Sequence, residues 1–133
     1  MDAVAQLRLV VEAEDFADAV AFYRDVVGLE QEAAYDSEGG AQVVILQAGR
    51  ATLELINAAQ KRMIDDVEVG SQVARKYRVA LEVPDTRSAT ARLVDAGATL
   101  IAAPVETPWR SLNARLEAPA GLQITLFEEL DAR

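Results

Sequence analysis

Glu54, bracketed by Leu53 and Leu55 in an apolar run, is the carboxylate best placed to act as a general base. Its importance follows from the residue census, because the 133-residue chain contains neither histidine nor cysteine. That absence excludes Ser-His-Asp and Cys-His nucleophilic mechanisms, thiolate or imidazole zinc sites, and the iron site built from two histidines and a carboxylate. Chemistry then falls to carboxylates, arginine, lysine, tyrosine and hydroxyls. Glu12 and Glu82 are further carboxylates, which would serve as a base pair only if burial raised a pKa. Trp109, the only tryptophan, sits beside Arg110 in a proline-flanked stretch. Its indole can stack on a planar or cationic group, or simply pack at a rim or interface. Tyr23 and Phe22, on the helical period, and Phe127 read as core residues.

These groups need strands and helices to hold them. Leu7 to Ala13 (LRLVVEA) reads as a strand, and its alternation places Arg8, Val10 and Glu12 on one face and Leu7, Leu9 and Val11 on the other. Asp15 caps a helix whose apolar positions Ala19, Val20, Tyr23, Val26 and Val27 recur at threes and fours, with Gly28 at its C-terminal end. Leu29 to Tyr35 is a weaker strand and DSEGG a polar turn. Gln42 to Gln47 and Ala51 to Asn57 are expected to form a hairpin across Ala48-Gly49-Arg50, with Thr52, Glu54 and Ile56 sharing a face. Residues 58–76 lose the period and read as a linker with one short helix.

The order then repeats. Tyr77 to Val83 is a strand with Arg78, Ala80 and Glu82 on one face, and Asp85 caps a helix closed by Gly97. Strands at Ala98 to Ile101, Ser111 to Glu117 and Leu122 to Phe127 follow, punctuated by Pro104, Pro108 and the PAG turn at 119–121. An offset of 70 pairs Glu12 with Glu82, Asp15 with Asp85, Ala19 with Ala89 and Asp25 with Asp95. The chain therefore reads as one domain, 1–133, of the α+β class. It holds two βαβββ modules, at about 5–57 and 77–130, whose sheets are covered by pairing the modules within a chain or across a dimer.

A formal charge of −9 repels phosphate backbones, and no basic stripe offsets it, so nucleic acid is not an expected partner. The same acidity keeps a small domain in solution and favours approach of a cationic molecule. No apolar run has the length of a membrane span, and the first residues carry neither a basic leader nor a cleavage site, so the cytoplasm is the expected compartment.

Four segments together resemble the vicinal-oxygen-chelate superfamily of glyoxalase I, bleomycin-resistance proteins and extradiol dioxygenases. They are RLVVEAEDFADAVAFYRDVVGLE at 8–30, LELIN at 53–57, RVALEVPDTRSATARLVDAGA at 78–98 and TPWRSLNARLEAPAGLQITLFEEL at 107–130. The resemblance implies a cupped mixed sheet with helices on its outer face, a homodimer, and a ligand site in the cup. In metal-using members the first strand of each module, often through histidine, and the last strand, through glutamate, supply the ligands. The matching positions here are Arg8 and Arg78, then Glu54 and Thr125. Only Glu54 is ligand-like, and guanidiniums put positive charge where a cation would sit. The expectation is no metal and no cofactor.

With the mixed strand faces lining the cup, Arg8, Glu54 and Arg78 converge. Two readings stay open: a structural crosslink in the metal's place, or a guanidinium fork for a ligand carboxylate or enolate oriented by Glu54. In bleomycin-resistance-like members an aromatic near Trp109 helps form a groove for a flat ligand. The favoured function is metal-independent binding of a small antibiotic-like, aromatic or cationic molecule by Arg8, Glu54, Arg78, Trp109, Arg110 and Thr125. The alternatives are a metal-free lyase, isomerase or dioxygenase-like enzyme using Glu54 with Arg8 and Arg78, and a regulatory module with a vestigial cup.

Overall fold

The computed structural model describes Arg8, Leu9, Val11, residues 13–51, Glu54 and residues 57–131. The chain divides into two compact units, Met1–Leu55 and Ile56–Arg133.

In the first unit, Asp15 caps helix α1, Phe16–Val20, accepting a hydrogen bond from the Asp18 amide at 3.3 Å. The helix then widens into a π-helical turn, Ala21–Val26, in which the Val27 amide donates to the Phe22 carbonyl at 2.9 Å. Phe22 is buried and Tyr23 half-buried, and their rings meet edge to face at 5.1 Å. Strands β1 (Gln31–Asp36) and β2 (Gln42–Leu46) pair antiparallel across the DSEGG turn. Both expected flanking strands reach beyond the described residues. Leu7, Val10 and Glu12 of the first lie outside them, as do Thr52, Leu53, Leu55 and Ile56 of the last.

The second unit is a βαβββ module preceded by helix α2, Ala58–Glu68. Strands β3 (Val79–Glu82), β4 (Thr99–Glu106), β5 (Ser111–Ala118) and β6 (Leu122–Glu129) form a mixed sheet in the order β3-β6-β5-β4. β3 runs parallel to β6 and the other pairs are antiparallel. Pro104, expected to end a strand, lies inside β4. It is tolerated because β4 is an edge strand whose register slips between Ala102 and Val105, where no ladder donor is needed.

Helix α3, Thr86–Asp95, is capped by Asp85, which accepts from the Ser88 amide at 3.0 Å. It ends at Gly97, whose φ of +111° is open to glycine alone. Helix α3 packs on β5 and β6, and Leu93, Leu112, Ala114, Leu116, Ile124 and Leu126 are all buried. Full burial of each large side chain is worth about 1.5–3 kcal/mol. The Thr90 hydroxyl, on the same helix, is buried without a hydrogen-bond partner among the described residues. Thr90→Val, equal in shape, is therefore expected to raise the unfolding free energy by about 1 kcal/mol. A urea titration reads this directly.

The interval expected to be a linker is thus largely helical. Asn57 caps α2, accepting from the Gln60 amide at 2.9 Å, and the helix belongs to the second unit. Its buried residues are Ile64, Asp65 and Glu68, so its inward face is mainly acidic and carries no apolar period to read. Among the described residues, no helix is long and apolar enough to cross a membrane.

Candidate functional site

Alternation along β5 and β6 gives the second unit's sheet two unlike faces. Leu112, Ala114, Leu116, Ile124 and Leu126 turn toward α3, whereas Ser111, Asn113, Arg115, Gln123 and Thr125 make the other face polar. All five polar residues are buried.

At one end of this face, Arg78 Nε donates to Thr125 Oγ1 at 3.0 Å. These are the first-strand and last-strand positions singled out above, brought into contact within one module. Arg78 is half-buried, while Ala80 and Glu82, which follow it on the same face of β3, are exposed. A guanidinium carries five N–H donors in a planar fork, and the bond to Thr125 fixes the direction of one of them.

Arg115 lies directly across from Thr125 on the neighbouring strand and is wholly buried. One of its terminal nitrogens donates to Asp65 Oδ1 at 2.9 Å and Gln123 Oε1 at 3.0 Å, and the other to Glu68 Oε1 at 2.9 Å. Glu68 Oε2 accepts from the Asn113 amide at 2.8 Å, and Asn113 in turn accepts from Ser111 Oγ. Asp65 Oδ2 receives the Val73 and Ala74 amides, each at 2.8 Å. Burial opposes ionisation of Asp65. The Ala74 amide, the Arg115 guanidinium and the Val73 amide outweigh it and hold the carboxyl below its ordinary value. Helix α2 and the 72–75 segment thus cover the sheet through ion pairs and amide hydrogen bonds.

Arg8 and Glu54 fall in the first unit and Arg78 in the second. Arg8 is exposed and meets Glu32 at 3.5 Å, a surface pair worth at most about 1 kcal/mol. Glu54, expected to be buried between its leucine neighbours, is exposed. The second unit has an Arg-carboxylate cluster, but it consists of Arg115, Asp65 and Glu68, none of which the strand spacing selects.

Trp109 and Arg110 occupy the β4-β5 turn, closed by the Thr107 amide donating to the Ser111 carbonyl at 2.8 Å. Arg110 adopts a φ of +62°, and its guanidinium is engaged by Glu106 and by Asp131 at 3.2 Å. Trp109 is 45% exposed. Ser111 pairs with Glu129, whereas Arg115 pairs with Thr125. At ~3.3 Å per residue the turn is therefore on the order of 13 Å or more along the sheet from Thr125. The structure places these two residues at the far end of the face from Arg78.

The donors at Arg78 and Thr125 do not fit a divalent cation, since a guanidinium already hydrogen-bonds the hydroxyl oxygen and brings its own positive charge. Among the described residues, no cluster of three carboxylates could hold one elsewhere.

Residues 8–127 match the family model described as a glyoxalase-like domain. Among solved structures, similarity extends to TnmS3, an antibiotic binding protein from Streptomyces sp. CB03234, at 20% identity and a TM-score of 0.63, covering 97% of this chain and 99% of that one. A glyoxalase/bleomycin resistance protein/dioxygenase superfamily member from Sphaerobacter thermophilus aligns at 23% identity and a TM-score of 0.58, over 90% and 92% of the two chains. A glyoxalase/bleomycin resistance protein/dioxygenase from Nocardioides aligns at 17% identity and 0.50, over 98% and 89%. No functionally curated protein matches the chain. With nearly its whole length matched and its second unit folded as a βαβββ module, the chain belongs to the glyoxalase-like family of the vicinal-oxygen-chelate superfamily.

Proposed function

We propose that the protein binds a small organic molecule without a metal ion, on the polar sheet face that carries Arg78 and Thr125. The observation that carries this reading is the Arg78-Thr125 hydrogen bond, at the positions where metal-using relatives place ligands. A guanidinium so held favours an acidic oxygen, such as a carboxylate, phenolate or enolate, on a flat ring system. The fold shared with an antibiotic binding protein from Streptomyces supports an antibiotic-like ligand, with sequestration as the outcome. The working form under this reading is a cytoplasmic homodimer, which sedimentation at micromolar concentration would test.

The binding test is a thermal-shift screen against aromatic antibiotics and aromatic acids, because any molecule selective for the folded state raises the midpoint. A hit is expected to bind about tenfold to a hundredfold more weakly to Arg78→Ala, the loss of a charge-assisted hydrogen bond. Thr125→Val is expected to weaken it less. Equal affinity of all three proteins would reject the site.

A further inference from the structure

The polar face under α2 has an organisation that stability alone does not account for. Where the same strands need only pack beneath α3, they present leucine, isoleucine and alanine. On the opposite face three alternate positions of β5 and two of β6 are polar and buried, one of them an arginine with no exposed surface. Replacing a buried ion cluster with apolar residues of similar volume is commonly neutral or stabilising. Helix α2 itself brings Ile64 as the single apolar side chain among its buried residues, so what fastens it is Asp65 and Glu68.

Three residues apart on one helix face, these two carboxylates grip the Arg115 fork from both terminal nitrogens. They leave Arg115 Nε buried with no hydrogen-bond partner among the described residues. A cluster evolved only as a crosslink would be expected to fill that donor, since a half-satisfied polar network costs more than an apolar one. The 72–75 segment is tied both to the helix and to the sheet, where Arg75 engages Glu117 and the Gly121 carbonyl and Gln123 donates to the Val73 carbonyl at 3.3 Å. Gln72 donates to Asp66 at 2.8 Å and to the Arg62 carbonyl at 3.0 Å, and the Val73 and Ala74 amides go to Asp65.

We propose that α2 acts as an internal ligand: Asp65 and Glu68 occupy, on Arg115 and Asn113, a site for a small aliphatic dicarboxylate. A dicarboxylate from solution displaces the helix as a lid, and residues 72–74 move with it as the Gln123 bond to the Val73 carbonyl gives way. It takes the guanidinium from the two side chains and finds Nε as an additional donor. These groups differ from Arg78 and Thr125, and the proposal stands whether or not the reading above does.

The absence of cysteine gives a clean readout. Ser111→Cys puts one thiol on the covered face, and Ala114→Cys puts one on the face beneath α3 as a control. Alkylation of the Ser111→Cys thiol is expected to accelerate about tenfold in succinate relative to sodium chloride of equal ionic strength, with the Ala114→Cys thiol unchanged. Adding Glu68→Gln, which removes one internal competitor, is expected to produce the same acceleration at lower succinate. In the unaltered protein, succinate but not acetate is expected to shift the Arg115 Nε–H resonance, a measurement that needs no variant to fold. Succinate-independent alkylation together with an unmoved Arg115 resonance would overturn the proposal. Equal acceleration of both thiols would overturn it too, since that is global opening rather than lid displacement.

Discussion

Arg115→Ala is expected to destabilise the second unit by about 3–5 kcal/mol, because it leaves Asp65 and Glu68 buried with no cation between them. The loss is that of an uncompensated charge and not the net worth of the ion pairs. Replacing all three partners at once, with Arg115→Met, Asp65→Leu and Glu68→Leu, should recover most of it, since apolar groups of similar volume need no partner. Urea unfolding at neutral pH reads both proteins. A large loss in the single variant that the triple variant fails to recover would mean that the cluster specifies the seating of α2 rather than merely neutralising charge.

The second large effect concerns acid. The folded-state pKa of Asp65 lies below its ordinary value, first against burial and then through the Ala74 amide, Arg115 and the Val73 amide. A carboxyl depressed by folding adds stability that is fully present above its unfolded pKa. That stability is lost as pH falls through the folded one. Asp65→Asn removes the charge and cannot both accept the two amides and face Arg115 with an oxygen, so it should cost about 2–3 kcal/mol near neutrality. As the solution is acidified below the carboxylate range, wild type should lose this advantage and the two proteins should converge. Denaturant midpoints measured across that range would show the gap narrow. A gap independent of pH would assign the effect to packing instead.

Much of the second module is legible in the residues. Asp85 and Gly97 bracket α3 because a side-chain acceptor and a positive φ are local requirements, visible without tertiary context. Asp15 marks α1 by the same logic. Alternation in Ser111-Leu112-Asn113-Ala114-Arg115-Leu116 announces a two-faced strand.

What the spacing cannot announce is the partner of the polar face. Helix α2 hides among the charges of KRMIDDVE because its buried side is acidic, and apolar periodicity looks for the opposite. Arg115 answers Asp65 and Glu68 across 50 and 47 residues of sequence, a pairing that only the fold creates. One signal is present: a helix-spaced acidic pair in the linker and an unexplained arginine on an alternating strand. Pro104 misleads because its usual meaning, the end of a strand, lapses on an edge with a register slip. Trp109 and Arg110 lie in the β4-β5 turn, at the other end of the sheet from Thr125, a placement that strand register and not residue type decides.

A binding face that works without a metal stands or falls on elemental analysis by plasma mass spectrometry of protein dialysed without chelator, followed by melting with its best ligand in the presence and absence of EDTA. No stoichiometric divalent ion is expected, and the ligand-induced rise in melting temperature should be the same with EDTA as without it. Stoichiometric zinc, iron or manganese, with EDTA erasing the ligand's effect, would show instead that a metal holds the ligand.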